Sequence, residues 1–366
     1  MNWIDRLHDP QKKNWVRLIS AFLLLISWIY GLMMQIRNLL YDKGWIKAYR
    51  SSAYVVSVGN IVAGGVGKTP LTLKIAKLLQ ERVENIALLS RGYLSDFEHK
   101  KIPTLISQGS GPCYLPQECG DEPYLISQNV PKAHFYVGKN RVLSAKMAEK
   151  VKAKVLLLDD AMQYRKLHRD IEIVVLNAED PFGKGYFLPR GFLREPLKAL
   201  KRADLMVINH VQDKKKIGPL LQKLELITKA PYILTRVKTQ GFFDLEDQII
   251  DSLKGIQVGA FCGLAKPENF FKTLQEEGLD LVSKKSLKDH RHMSLQELQN
   301  FSDQSKDRGA RYLLCSEKDR VKISKNIQLS LPIIFLKIEL EIVEGKEDFE
   351  KILEKCALSE SLKTSN

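Results

Sequence analysis

The sequence predicts an α/β fold, with a mostly parallel sheet carrying helices on both faces. A smaller α/β domain follows this sheet, and an apolar N-terminal membrane helix precedes it. Three observations carry the prediction. Apolar runs of strand length alternate with stretches of helical periodicity. A glycine-rich loop lies between the first such strand and the first such helix. Near the N-terminus, 19 residues without a formal charge, Leu18–Ile36, separate Arg17 from Arg37. At 366 residues the chain is too long for one ordinary core. The expected divisions are 1–50 for the membrane-associated helix and juxtamembrane segment, 51–225 for the larger α/β domain and 226–366 for the smaller one.

The N-terminal run includes Phe22-Leu23-Leu24-Leu25-Ile26-Ser27-Trp28-Ile29-Tyr30. As a helix it is about 28 Å long, close to the hydrocarbon thickness of a bilayer. Trp15, Trp28, Tyr30, Tyr41 and Trp45 supply interfacial aromatics, and Arg17, Arg37, Lys43 and Arg50 flank it. A cleaved signal peptide is disfavoured because bulky Leu32-Met33-Met34 stands where small residues are needed. A helix spanning the membrane or lying in its interface is expected over a buried core helix. Basic residues balance on the two sides, so they do not orient it.

Tyr54–Val58 reads as a buried strand, and Leu71–Leu79 has helical spacing. Between them stands Val62-Ala63-Gly64-Gly65-Val66-Gly67-Lys68-Thr69. Strand, glycine loop, Lys-Thr and helix make a phosphate-binding P-loop, so the larger domain is P-loop NTPase-type. Glycines let successive backbone N–H groups turn inward onto phosphate oxygens. The helix N-terminus adds unpaired donors and partial positive charge. Lys68 can reach the β- and γ-phosphates of ATP, and the Thr69 hydroxyl can take Mg²⁺. The strict pattern asks for Gly where this chain has Val62. A chance Gly-Lys-Thr in a surface turn is the alternative, and the flanking strand and helix argue against it.

Further strands are expected at Asn85–Leu89, Ala133–Val137, Val155–Asp160, Ile171–Leu176 and Asp204–Asn209, with helices opening at Asp121 and over Arg141–Val151. Residues 95–120 read as a long loop. Beyond Lys214-Lys215-Lys216, strands are expected at Pro231–Val237, Ile256–Cys262, Tyr312–Cys315 and Ile333–Leu336, and helices at Pro267–Glu277 and Ser294–Gln304. The tail Leu358–Asn366 is polar and expected to be loose.

Fifty-seven Lys+Arg against 43 Asp+Glu give +14, which favours polyanions without choosing among nucleotides, phospholipids and nucleic acid. Cys113, Cys119, Cys262, Cys315 and Cys356 are odd in number and lack zinc spacing, so they read as free thiols. Asp159-Asp160 end an apolar strand and fit an acidic site that holds Mg²⁺. Asp121 is a candidate orienting carboxylate, with an acidic helix cap as the plainer reading. His290, beside Asp289, is a candidate base, or else part of a surface charge cluster. Arg190 and Arg194 can contact phosphate. Ser316-Glu317-Lys318-Asp319 lacks the Asn-Lys-x-Asp order of a guanine reader, so GTP is not supported.

The run Val58–Pro70 resembles that of the lipid A tetraacyldisaccharide 4′-kinases. So do Ser90–Tyr93, Gly120–Pro123, Val137–Arg141, Leu158–Gln163, Leu188–Pro196, Asp289-His290 and Glu317–Asp319, in the same order. Val62 is expected within that family. The resemblance implies a membrane-associated kinase at the cytoplasmic face of a Gram-negative inner membrane. It would use Mg-ATP to phosphorylate the 4′-hydroxyl of a tetraacyldisaccharide 1-phosphate. It also implies a two-stranded linker between the domains, a monomer, and no nucleic-acid partner. By matching motif, Asp121 and His290 are the catalytic pair, with Lys68 and Arg194 at the transferring phosphate. Val62–Thr69 hold the nucleotide, Glu317, Lys318 and Asp319 lie near its base, and Thr69, Asp159 and Asp160 lie by the metal. The chain departs from the family pattern at Ala161, at Arg190 and at Arg291, which separates His290 from His292. His290 is taken because it directly follows Asp289, with His292 the alternative. Two rivals remain. A deviant P-loop partitioning or metallochaperone ATPase needs a lysine where Ala63 stands. A membrane-tethered nucleotide-binding scaffold needs no turnover.

Overall fold

The computed structural model describes residues 4, 8, 14–251, 253–287, 293–324 and 326–362. Its sheet has 13 strands. β1 (Tyr54–Gly59) sits between β5 (Val155–Asp159) and β6 (Ile171–Asn177), parallel to both. On the β5 side follow β2 (Ile86–Ser90), β4 (His134–Val137) and β3 (Thr104–Gln108); beyond β6 comes β7 (Leu205–Asn209). All but β3 are parallel in this part. These strands are apolar on both faces because both are covered, one by the large core cluster around Val56 and Leu157, the other by the cluster around Val55 and Leu156.

The sheet continues through a long antiparallel pair, β8 (Tyr232–Asp244) and β13 (Ile333–Glu344). β8 starts parallel to β7, and β13 starts parallel to β12 (Tyr312–Ser316). Between these ends the pair is half solvated and laced by polar contacts, including Arg236–Glu341 at 2.5 Å and Gln240–Glu339 at 3.2 Å. β9 (Ile249–Ile250) adds to β8; β10 (Gln257–Cys262) and β11 (Asp280–Ser286) complete the second part, whose two faces carry their own cores. The strands expected from Pro231 and Ile333 are thus the first halves of longer ones. The second half of β8 opens on polar Lys238-Thr239-Gln240, and that of β13 largely alternates polar and apolar residues, so neither shows the continuous apolar run of a buried strand.

Residues 95–120 hold β3 and two short helical turns, Asp96–His99 and Pro116–Cys119, where a loop was expected. A C-terminal helix, Lys346–Leu362, returns to the first part. Its Phe349, Ile352, Leu353 and Cys356 join the large core. The tail expected to be loose from Leu358 is therefore helical through Leu362. All five cysteines are free, and burial pushes Cys119, Cys262 and Cys356 up to about 12.

The N-terminal helix, Asn14–Asp42, is about 43 Å long. Within it Leu18–Asp42 is long and apolar enough to cross a membrane, and 22% of its most apolar window is buried. Ser20, Ser27, Met34 and Asn38 are buried on one face, and Gly31 is pressed against the Phe187 ring. Leu18, Phe22, Leu25, Ile29, Leu32, Ile36 and Leu39 recur at three- and four-residue steps and are all about half exposed or more. Covering that stripe with hydrocarbon would be worth on the order of 10 kcal/mol. The inner face is tied down by polar bonds. Ser27 Oγ donates to the Phe187 carbonyl at 2.7 Å, and Arg37 and Asn38 hold the fully buried Glu195 carboxylate at 2.5 and 2.7 Å.

Candidate active site

The site lies at the carboxyl end of β1, where parallel α/β sheets open. The loop from Asn60 to Gly67 leads into the helix Lys68–Arg82. Gly64 has φ +111° and Gly67 φ +85°, backbone regions that favour glycine. A Cβ on Gly67 would also lie 2.0 Å from the Asn209 amide. At Gly64 and Gly65 an added Cβ would meet nothing within 4 Å, so this rim is open to a ligand. Val62 is different. It bridges to Leu193 as in a strand, is 3% exposed and belongs to the large core. The missing first glycine is therefore a packed position, and its side chain closes the loop's back.

The segment Leu188–Pro196 is stitched to the P-loop. Ala63 N donates to Phe192 O and Arg194 N to Ile61 O, each at 2.7 Å. This fixes the backbone of Arg194 and aims its side chain at Asp160. Arg194 Nη1 reaches both Asp160 oxygens at 3.1 Å, and Nη2 donates to Gln163. Lys68 Nζ approaches the same carboxylate at 3.7 Å. Burial works against Asp160's charge, but Lys68, Arg194 and Arg141 more than offset it, so its carboxyl lies below the usual value. Asp159 goes the other way. Burial, then Glu122 and Asp160, push it up to about 6, even though Thr72 donates to it at 3.0 Å. Arg141 is buried beneath both and donates to their carbonyls at 3.0 and 3.3 Å.

Asp121 stands at the start of the helix Asp121–Asn129 and is buried. Lys322 Nζ lies 2.9 Å from it and 3.6 Å from Asp319. Neighbouring Glu122 pairs with Lys318 at 3.5 Å. Asp319 accepts from Gly263 N at 2.9 Å and Ser316 Oγ at 2.5 Å, and half-buried Glu317 feels the charges of Lys337 and Lys77. Glu317–Asp319 thus sit at the seam between the two parts of the sheet, joined to the Asp121 helix. His290, its alternative His292, and Asp289 lie outside the described residues. Arg190 is apart from the cluster. Its guanidinium lies 4.0 Å over the Tyr186 ring, and its backbone N–H donates to Ser27.

Lys68, Arg194, Asp159 and Asp160 therefore come together at one mouth, Thr69 follows Lys68 on the helix, and Glu122, next to Asp121, is near enough for its charge to act on Asp159. Sequence reasoning named no role for Asn60, Thr72, Arg141, Gln163 or Lys322. All but Thr72 and Lys322 stand inside the quoted motifs, which was the available signal. Mg²⁺ takes one or two carboxylates together with phosphate oxygens and water. The adjacent Asp159 and Asp160, one held charged by its cationic neighbours, fit that need beside Thr69. Among the described residues no group of three His, Cys, Asp or Glu side chains is placed to hold a metal.

A family model described as Tetraacyldisaccharide-1-P 4'-kinase matches residues 19–357. The tetraacyldisaccharide 4'-kinase of Chlamydia pneumoniae is 37% identical over 84% of this chain and 83% of its own. That of Halothermothrix orenii is 32% identical over 93% of each. Among solved structures, the "apo" form of LpxK from Aquifex aeolicus in complex with ATP matches with a TM-score of 0.73 and 29% identity, over 92% of this chain and 99% of that one.

Proposed function

The chain belongs to the tetraacyldisaccharide-1-P 4'-kinase family, and from that premise we infer its reaction: transfer of the γ-phosphate of ATP to the 4′-hydroxyl of a tetraacyldisaccharide 1-phosphate, a lipid A precursor. It is an ATP-dependent kinase that uses Mg²⁺. The observation that carries this reading is the convergence of Lys68 and Arg194 on Asp160 at the rim of an open P-loop. Phosphoryl transfer needs positioned charge more than covalent chemistry. The Val62–Thr69 backbone cradles the phosphates, and Lys68 neutralises their outer oxygens. Arg194 exchanges Asp160 for the charge that develops on the transferred group. Thr69, Asp160 and Asp159 are the residues that would hold Mg²⁺, which neutralises charge on the β- and γ-phosphates when bound. Asp121, with His290, takes up the acceptor proton, and Lys322 holds the Asp121 carboxylate in place. Glu317, Lys318 and Asp319 form the segment of the second part that approaches the nucleotide.

The same reading gives the chain two domains, 51–225 and 226–366, linked by β8 and β13, with the C-terminal helix packed back on the first. It acts as a monomer at the cytoplasmic face of the inner membrane of a Gram-negative bacterium, without nucleic acid. ATP supply and the exposed stripe of the N-terminal helix support this location. The deciding assay supplies labelled ATP and a lipid A precursor, separated by thin-layer chromatography. A labelled lipid spot that vanishes in Lys68→Ala is expected. Labelled inorganic phosphate without a lipid spot would return the protein to the ATPase reading. The stripe is tested separately with Leu25→Glu and Ile29→Glu together. Vesicle binding should fall while the melting temperature holds; a drop in melting temperature would make the stripe part of a protein core.

A further inference from the structure

A second basic site lies away from the P-loop rim. It is a cavity of about 550 Å³ where the chain leaves the N-terminal helix and where β6 and β7 begin. From it Arg169 reaches the backbone just past Asp160, and Arg202 reaches Glu195 beside Arg194. Lys47, Arg50, Arg165, Arg169 and Arg202 line it, against Glu172 and Asp204. Five cations face two carboxylates in the lining, with Asp42 and Glu195 pairing Arg165 and Arg202 from outside it, so the excess of positive charge rests on Lys47 and Arg50. Arg165 is spent on the Asn38 carbonyl at 3.0 Å and Asp42 at 2.8 Å. Arg169 Nη2 donates to the Ala161 and Met162 carbonyls, and Arg202 Nη1 to Asn38 Oδ1 at 3.3 Å, but their remaining nitrogens are less well served. The Nε atoms of both, and Nη2 of Arg202, are buried without a hydrogen-bond acceptor among the described residues. Their carboxylate contacts are longer ion pairs, Arg169 Nε to Glu172 at 3.3 Å and Arg202 Nη2 to Glu195 at 3.6 Å. Burial works against the charge of both. Lys47 and Arg50 stand exposed at the rim.

The cavity adjoins apolar surface. Ile46 lines it and is 38% exposed, and Trp45 beside it is 76% exposed. Both follow directly on the outward stripe that ends with Ile36 and Leu39. Guanidinium nitrogens left without acceptors, with exposed cations at the rim, recognise phosphate oxygens, and apolar surface at the rim suits acyl chains. We propose that this cavity binds the phosphodiester headgroup of an anionic membrane phospholipid and fixes the juxtamembrane end of the helix on the bilayer. Neither Lys47 nor Arg50 is among the residues proposed for phosphoryl transfer, so their substitution tests this site apart from the kinase reading.

The test uses the full chain without ATP. Co-sedimentation is measured with phosphatidylcholine vesicles, with and without phosphatidylglycerol, for the parent, Lys47→Gln with Arg50→Gln, and Lys43→Gln. Lys43 is an exposed neighbour that does not line the cavity. A cation seated on the headgroup is expected to contribute about fivefold and one beside it less, so the double variant should lose about 25-fold of its phosphatidylglycerol-dependent affinity and Lys43→Gln less than about threefold. Kinase activity on detergent-dispersed substrate should match the parent in both. A loss per charge as large for Lys43→Gln as for the rim pair would overturn the proposal in favour of diffuse attraction. Displacement of the protein from phosphatidylglycerol vesicles by inorganic phosphate at matched ionic strength would overturn it in favour of a free-phosphate site.

Discussion

Arg194→Ala separates positioning from binding at the proposed reaction centre. In the structure Arg194 spans both oxygens of Asp160 at 3.1 Å, and its side chain and that of Asp160 are 23% and 36% exposed. Solvent screening at that exposure limits the pair to about 1 kcal/mol of stability, so the fold should survive. The kinetic effect should be far larger. An arginine placed on a transferring phosphoryl group contributes about 10³–10⁵ in kcat. Here Lys68 remains at 3.7 Å from the same carboxylate, so part of the positive field stays after the substitution. The expected loss is therefore at the lower end, about 10³ in kcat, or about 4 kcal/mol of barrier. The ATP KM should change by less than about threefold, since the P-loop backbone holds the ground state. Arg194→Lys keeps the charge but not the fork that spans Asp160 and Gln163, and should recover about tenfold of the loss. The assay is steady-state transfer of labelled phosphate to the lipid, with a thermal melt beside it. Turnover of Arg194→Ala within about tenfold of the parent would refute the transition-state role. An unchanged kcat with a large rise in ATP KM would make Arg194 a ground-state binding residue.

Val62→Gly restores the strict P-loop pattern but empties a core position; it should cost about 2–3 kcal/mol of stability by denaturant melt, and a neutral result would mean the packing of Val62 has been overstated. If Asp121 and His290 act as one unit, Asp121→Asn and His290→Ala should each lower kcat by about 10²–10⁴, and the double variant should be little worse than the weaker single. Fully multiplicative losses would separate the two residues. His210, beside the P-loop, has its pKa lowered by burial. The stability it contributes is present above the unfolded value of about 6.5 and is lost as pH falls through the lower folded value. His210→Asn, which tolerates the local φ of +63°, should flatten the fall in melting temperature between about pH 7 and about pH 5; parallel curves for parent and variant would count against this.

Local chemistry was readable from the chain. Val55–Val58, Leu156–Leu158 and Ile173–Leu176 are continuous apolar runs because both sheet faces are covered, and that alone implies parallel strands with helices on each side. Gly64, Gly67, Lys68 and Thr69 announce a phosphate loop because few other residues can make one. The second half of β13, Lys337–Glu344, was not readable, since a strand half in solvent looks like a polar linker until its partner is known. The C-terminal helix Lys346–Leu362 was missed for a related reason. Its apolar face, Phe349, Ile352, Leu353 and Cys356, is short and set among charges.

By itself, then, the sequence determined the fold class, the phosphate loop, the paired carboxylates and an apolar helix, because each depends on residues close together in the chain. Tertiary structure alone decided which distant groups meet. Arg194 reaches Asp160 only because its backbone is paired to Ile61. Asp121 meets Lys322 only because two antiparallel strands carry the second part of the sheet back across the first. Arg190, beside Arg194 in sequence and equally basic, is turned onto Tyr186 and the N-terminal helix instead. Charge and residue type are properties of the chain, whereas distance and burial, which set what a charge can do, arise only when the elements pack.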